Sequence, residues 1–542
     1  MTGTKLSRER LRRVGIALLL LALALVGFAI LGAERRVESQ VFPTTDVNAS
    51  TQTRGAAAFV GAGFGGISLE ALETNAIPWK LTAAALVLDE QTRNPNAHSD
   101  LAVLRKILTR FGFLYPERIE GISGELDLTL GAKPLGMTHG DIAPIGGAKV
   151  EIANLGCASC HSGVGYDANG DPDPTLAFPG MPNTSLDLES YTQAIFVALR
   201  EHGDNPALLE TVDALFPEIS WRERLSLQWI VLPLARQRLA DLEGQESPLP
   251  FPNGLPGATN GVAALKQQFG TPLLGGGPQD RGFVSIPELA LRDRRSRLLA
   301  DGAYAVPSGA ADPRALAAIT SFFTVPSMGV HPHEARSHQA EAEAIFAWLA
   351  KYRPQPFPQP VSKEEARDGL RVYQGECASC HGRFEWTGEQ PALADFPDWI
   401  GDVGTDPLRA QTFDRALAEA IGGTSYAELI DVRIGDGYAA PPLAGLWASA
   451  PYLHNGSIHS LEALLDPDRR LSRFKVGGHA LDLESIGVRV ENDGQYPAGY
   501  TAFSTPQWVD TSEPGMGNVG HEYGSELSKT DRRALIEFLK LL

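Results

Sequence analysis

Two short runs constrain this chain more than anything else in it: Cys157-Ala-Ser-Cys160-His161 and Cys377-Ala-Ser-Cys380-His381. Together they use all four cysteines of the 542 residues, so no thiol is left over for a disulfide. CxxCH is the attachment signature of c-type haem. Two thiols at this spacing can each form a thioether to one porphyrin, and the next residue offers imidazole to the iron from the same side. A zinc site built from two CxxC pairs has them about 12–20 residues apart, and here the gap exceeds 200. A thioredoxin-like pair would need a βαβ context, which the sequence does not offer. The expectation is two covalently bound haem c groups. Cys157, Cys160, Cys377 and Cys380 are the attachment residues, and His161 and His381 the proximal iron ligands.

The N-terminus points to export. Residues 14–33 carry no charge, and about 20 such residues cross a hydrocarbon core. Lys5, Arg8, Arg10, Arg12 and Arg13 precede them against the single acid Glu9, which keeps that end in the cytoplasm. A cleaved signal peptide has a shorter apolar region of about 7–15 residues. The expectation is therefore an uncleaved anchor in a bacterial inner membrane. It divides the N-terminus into a cytoplasmic basic segment 1–13, a transmembrane helix 14–33 and a linker 34–55, with the bulk of the chain in the periplasm.

Beyond the anchor the text divides once. Residues 352–360 alternate prolines, which stop a helix and favour a stiff extended connector. An amphipathic helix is expected before it, over 334–352. Ser362-Lys-Glu-Glu resembles a capping box for a helix after it, and Ser528-Lys-Thr-Asp starts another that ends the chain. Between these helices the text is rich in Gly and Pro and poor in strand-like alternation. The expected fold class is mostly α: two cytochrome c-like domains with long loops, an N-terminal haem domain over 56–351 and a C-terminal one over 361–542. No tandem repeat of short period is visible.

Charge limits the partners. The chain has 47 Lys+Arg against 65 Asp+Glu, a net charge of -18, which repels phosphate backbones and disfavours nucleic acid. It suits a basic redox partner protein, such as a basic cytochrome or a cupredoxin. Two other motifs compete for attention. Gly61-Ala-Gly63-Phe-Gly-Gly66 satisfies GxGxxG, but a dinucleotide site is out of place in an exported chain and a glycine loop is the better reading. Asp167, Asn169, Asp171 and Asp173 alternate as in a calcium loop, against the plainer reading of a solvated acidic turn.

Several segments resemble a known family. Arg371 to Gly382, around the second CxxCH, is similar to the haem-attachment helix of small cytochromes c. Pro442 to Ser457 resembles the segment after the second haem in bacterial di-haem cytochrome c peroxidases. The Gly517 to Gly524 stretch, with His521, and the final helix resemble the rubber-oxygenase branch of that superfamily. The resemblance implies two cytochrome c-like domains, one haem reactive and the other relaying electrons.

Distal ligands decide which haem is which, because an iron with two strong protein ligands is closed and one with a free sixth position can bind peroxide or oxygen. For the second haem the candidates are His521, set among glycines that let backbone approach a flat ring, and His454, in an apolar-aromatic segment. The resemblance favours His521. For the first haem the best local cluster runs from Thr324 to His333, with Met328 the leading candidate and His331 and His333 beside it. Met181 and His139 are outsiders. Relatives carry an aromatic residue near Met328. Trp447, Trp386 and Trp221 are candidate bridges between haems. The expected function is a peroxidase-like oxidoreductase that reduces hydrogen peroxide at the N-terminal haem and relays electrons through the C-terminal one. The alternatives are a pure electron-transfer cytochrome and a rubber-oxygenase-like haem dioxygenase.

Overall fold

The helix before the second CxxCH starts where its capping residues place it. Ser362 accepts from the Glu365 N–H, and the helix runs Lys363–Glu376 with Ala366, Gly369 and Tyr373 buried. Ser528 caps the last helix, Lys529–Leu539, through the Asp531 N–H. These two helices cross at a glycine, because a Cβ on Gly369 would overlap the Ala534 carbonyl oxygen. One turn further on, the rings of Tyr373 and Phe538 meet with centroids 5.1 Å apart and planes at 54°.

The first half repeats this crossing. Helices Thr51–Val60 and Gln339–Leu349 meet where a Cβ on Gly55 would overlap the Ala344 carbonyl oxygen. One turn on, Phe59 and Trp348 lie 5.1 Å apart at 50°. The chain thus holds two units of one design, each closed by a helix pair that needs a residue without a side chain at its closest approach.

The computed structural model describes residues 37–39, 50–60, 77–122, 132–145, 148–245, 247–435 and 437–542. Within it the expectation of a mostly α fold is corrected to mixed α/β, because helix makes up 39% and strand 15%. The largest strand element is an antiparallel hairpin of Met137–Ile145 and Ala148–Leu155, with Met137 opposite Leu155 and Gly140 opposite Ile152. Val150 and Ile152 are buried, while Glu151 between them meets Lys80 at 2.9 Å and also Lys133. Burial opposes ionisation of Glu151, but Lys133 and Lys80 prevail and hold its carboxyl down to about 2. A second hairpin, Arg383–Thr387 with Gln390–Asp395, follows the second CxxCH and turns at Gly388, φ 63°. Several other pairings are only two residues long, such as Arg118–Ile119 with Leu176–Ala177. Strands this short carry little alternation and form only when distant segments dock, so a Gly- and Pro-rich text hides them.

The expected transmembrane helix 14–33 lies outside the described residues, as does the glycine motif 61–66. Among the described residues no helix is long and apolar enough to cross a membrane. The placement in a bacterial inner membrane is corrected accordingly and is not carried further. The first described helix begins at Thr51, inside the stretch read as linker.

The proline-rich segment 352–360 is strapped to both units. Gln355 accepts from Tyr166 N at 3.0 Å and donates to Tyr166 O at 2.7 Å, and Trp447 Nε1 donates to Gln355 O at 2.9 Å. Helices Trp79–Arg93, Leu101–Arg110, Leu188–His202 and Ala207–Leu215 build a separate core around Trp79, Leu108, Tyr191 and Leu208, against which Cys160 packs. Cys157 and Cys377 pack against the main core. A buried ion pair, Arg409 to Asp301 at 2.7 Å, joins the two halves.

Candidate haem-binding site

Both CxxCH motifs open on one continuous cavity of about 1900 Å³ that includes Cys157, Cys160, His161, Cys377, Cys380 and His381 in its wall. Protein interiors leave few voids larger than a water, and pockets for drug-sized ligands span ~300–1,000 Å³. The space therefore has room for two large groups. Burial pushes the Cys157 thiol up to about 11 and those of Cys160 and Cys377 up to about 12.

Each motif histidine is oriented by a proline carbonyl. His161 Nδ1 bonds Pro287 O at 3.1 Å, and His381 Nδ1 bonds Pro441 O at 2.9 Å. A carbonyl only accepts, so Nδ1 carries the proton and Nε2 keeps the lone pair that a metal needs. Burial, aided by Arg292, holds His161 down to about 4, and burial also lowers His381. Both rings are neutral at ordinary pH.

The two proline loops are copies of each other. Leu291 and Gly445 both have φ 60°, Leu299 and Leu453 have 72° and 66°, and Gly302 and Gly456 have 65° and 68°. Each loop enters a 3-10 turn, Arg292–Arg294 or Leu446–Ala448. Leu298 then pairs with Tyr304, and Tyr452 with Ile458. The spacing between counterparts is constant throughout. Sequence reasoning missed this repeat, although Pro287-Glu-Leu-Ala and Pro441-Pro-Leu-Ala, followed by Leu299-Ala-Asp-Gly302 and Leu453-His-Asn-Gly456, carry its signal. In this register His454 stands opposite Ala300.

The distal candidates separate by geometry. The His521 ring lies 6.1 Å from that of His381, with planes at 56°. With metal–imidazole bonds of about 2.0–2.1 Å, two rings sharing one metal lie about 6 Å apart, centroid to centroid. His521 is held by its N–H to Val403 O at 2.8 Å and by a left-handed φ of 49°. Before it, Gly520 has no room for a Cβ against the Gly404 backbone. His454 also lines the cavity, but its ring is stacked on Tyr438, 3.9 Å away at 17°.

The first unit has no such pair among its described residues. His331 stands thirteen residues before the crossing Ala344, just as His521 stands thirteen before Ala534. Yet His331 is exposed and caps helix Pro332–Ser337 by accepting the His333 N–H at 3.2 Å. His333 is exposed too. Phe323, Thr324, Pro326 and Ser327 line the cavity there instead. Met328 closes helix Thr324–Met328, and its side chain lies outside those described, as does that of His139. Met181 is buried against Gly163 in the core.

Four polar atoms of residues in the cavity wall, the Tyr191 hydroxyl, Arg295 Nε, Thr405 Oγ1 and His521 Nδ1, are buried with no protein partner. Such groups are costly unless a ligand pairs with them, and the propionates of a haem are suitable acceptors. The residues present fit the group. Of the tryptophans, Trp447 lines the cavity. Trp386 turns back on Gly388 O at 3.1 Å, and Trp221 is 69% exposed. In the supposed calcium loop, Asp167 accepts the N–H groups of Asn169 and Asp171, while Arg489 binds Asp171 at 2.8 Å. Arg489 thus sets a guanidinium beside this turn, and among the described residues it holds no cluster of three His, Cys, Asp or Glu ligand atoms.

Three histidines outside the axial positions carry a pH prediction. Burial, with Arg409 adding, holds His454 down to about 3, and burial holds His459 and His479 to about 4. Unfolded histidine titrates near 6.5. Below that pH the unfolded chain binds more protons, so stability is complete above about pH 6.5 and falls as pH drops toward about 4. The urea midpoint should be flat from pH 8 to 7 and decline steeply from 6.5 to 4, with a shallower decline in His479→Gln. A midpoint constant across that range would remove the argument.

Comparison with known proteins agrees on part of this site. A family profile described as "RoxA-like, cytochrome c-like" matches residues 437–475, which hold Pro441, Trp447 and His454. Two proteins of Sinorhizobium fredii are similar. "Uncharacterized protein y4iJ" is 27% identical over 244 residues, 34% of this chain and 39% of its own length. "Uncharacterized protein y4iM" is 27% identical over 201 residues, 31% of this chain and 43% of its own length. The chain thus spans less than half the length of either relative. The matched stretch is similar to a RoxA-like cytochrome c-like domain, and that likeness implies a haem cofactor.

Proposed function

We propose that the protein is a di-haem c-type cytochrome and a redox enzyme with one closed iron and one reactive iron. One haem would be held by Cys377, Cys380 and His381, with His521 as second ligand. The other would be held by Cys157, Cys160 and His161, with no histidine opposite among the described residues. The observation that carries this reading is the contrast between His521, 6.1 Å from His381, and its counterpart His331, exposed and used as a helix cap. When bound, haem supplies a redox-active iron whose open sixth position can take peroxide or dioxygen.

The chain's own residues set the conditions. Pro287 and Pro441 fix the tautomer of the proximal imidazoles, and firm second-shell bonding of this kind raises ligand basicity. The activity proposed is hydrogen peroxide reduction at the first site, fed by electrons through the second from a basic donor protein. A net charge of -18 favours that donor, and the attraction fades as salt rises. A second reading, oxygenation of an apolar molecule, is supported by the RoxA-like match and by the apolar wall of Leu188, Tyr191, Ile195, Phe196 and Phe251 that shares the cavity with Cys157 and Cys160.

The test mixes the purified holoprotein with hydrogen peroxide and a reduced donor, with cyanide as a probe of an open iron. Peroxide turnover is expected, falling to background in His161→Gly while the second haem band persists. Oxygen uptake with an unsaturated apolar substrate and no peroxide turnover would favour the oxygenase. If neither iron binds peroxide or cyanide, both enzymatic readings fail.

A further inference from the structure

Glu288 follows the proline whose carbonyl orients His161. Its Oε1 accepts the N–H groups of Leu289 and Ala290 at 2.8 and 2.9 Å, and its Oε2 accepts the Tyr352 hydroxyl at 3.2 Å. That same oxygen stands 2.7 Å from where a Cβ on Gly445 would be. Gly445 belongs to the second proline loop, whose Pro441 orients His381. One carboxyl therefore touches the loop behind the first motif histidine, the loop behind the second, and the segment linking the units. Its counterpart in the second loop is Pro442, so the acid is not required by the shared loop design.

The groups facing this carboxyl do not fix its charge. Arg292 on its own loop attracts it, with Arg295 beyond, and the linker contributes the Tyr352 hydroxyl. The second loop offers backbone at Gly445 and no charge. Among the described residues no cation comes within ion-pair distance of Glu288. Glu288, Arg292, Tyr352 and His161 all line the one cavity. Burial pushes the Glu288 carboxyl up to about 8, against the amides, Tyr352 and Arg292. A carboxyl so poised responds to small changes of nearby charge, and in a low-dielectric interior an added electron is such a change.

We infer that Glu288 is the proton acceptor that accompanies electron uptake at the first site. Once the carboxyl is ionised, one electron passed by a one-electron donor to an iron held by His161 would be accompanied by one proton from solvent, which would convert the Glu288 carboxylate to a carboxyl. Reoxidation releases both. The local charge then stays constant, and the proton sits on the group that bridges the two proximal loops. This inference rests on the proposed haem at His161, and the experiment separates the two.

The midpoint potential of the first haem is followed spectrally, with redox mediators, from pH 6 to 10 on the full-length holoprotein. For one electron coupled to one proton, each tenfold fall in proton concentration lowers the potential by about 59 mV. Wild type should be flat at low pH and bend into that slope near pH 8. Glu288→Gln, with its haem loaded and its oxidised spectrum unchanged, should lose the slope. Tyr352→Phe removes a donor to the ionised carboxyl, so it should keep the slope and move the bend to higher pH. That second variant carries the test if Glu288→Gln loads no haem. The inference is overturned by a wild-type potential that ignores pH, by an unaltered slope in loaded Glu288→Gln, or by an unmoved bend in Tyr352→Phe. Absence of haem from the Cys157–Cys160 peptide in wild type would instead overturn the proposed cofactor.

Discussion

His521→Ala should convert the iron proposed at His381 from low-spin to high-spin and leave the one proposed at His161 untouched. Added imidazole should restore the low-spin spectrum. The reason is geometric: His521 and His381 face each other across a gap of 6.1 Å between ring centres, the span of two imidazoles sharing one metal. The backbone holds His521 there at φ 49°, with the Val403 carbonyl accepting its N–H. His454, the other candidate, has its ring stacked on Tyr438 instead. His454→Ala should therefore leave the spin state unchanged, and so should His331→Ala, since His331 only caps a helix. Electron paramagnetic resonance of the three variants distinguishes the outcomes. A high-spin signal from His454→Ala with none from His521→Ala would reverse the assignment.

Gly369→Val should abolish stable folding of the second unit, and Gly55→Val that of the first. At both positions the partner helix presents its backbone, and a Cβ would overlap a carbonyl oxygen. Overpacking against side chains costs about 1–3 kcal/mol, and a backbone partner that cannot rotate away places these variants at or above the upper end. Gly369→Ala should already lower the urea midpoint. Haem staining of the variants after protein denaturation should show loss at the Cys377–Cys380 peptide for Gly369→Val and at the Cys157–Cys160 peptide for Gly55→Val. By contrast, Gly375→Ala lies on the same helix with open space where its Cβ would go, and should be neutral or stabilising. Wild-type stability in Gly369→Val would mean the helices separate without cost.

Much of the site was legible because its chemistry is written in consecutive residues. CxxCH places two thiols and an imidazole within one turn, so the residues that line the cavity at each motif are adjacent in the chain. Helix starts were legible for the same reason: Ser362 and Ser528 bond to N–H groups three residues on. The hairpin 137–155 was not, since its alternation at Val150 and Ile152 is brief and its pairing joins segments only after collapse. The proline loops were missed for a different reason. Each motif histidine reaches across 126 or 60 residues to its proline carbonyl, and no local pattern connects the two ends.

The sequence by itself determined the spacing of thiols and imidazole in each CxxCH, the capped helices and the glycines that let paired helices cross, because each depends on a residue's own stereochemistry or on neighbours within one turn. Tertiary structure decided which histidine meets His381. His521 and His331 hold the same place before their crossing helices, yet one faces a proximal ring and the other faces solvent. The difference lies in the backbone around them. Gly520 and Gly404 pack face to face and turn His521 inward, whereas the first unit winds helices Thr324–Met328 and Pro332–Ser337 through the corresponding stretch and turns His331 outward as a cap. Ligand geometry is a relation between segments more than a hundred residues apart, and only packing in three dimensions brings such segments to one point.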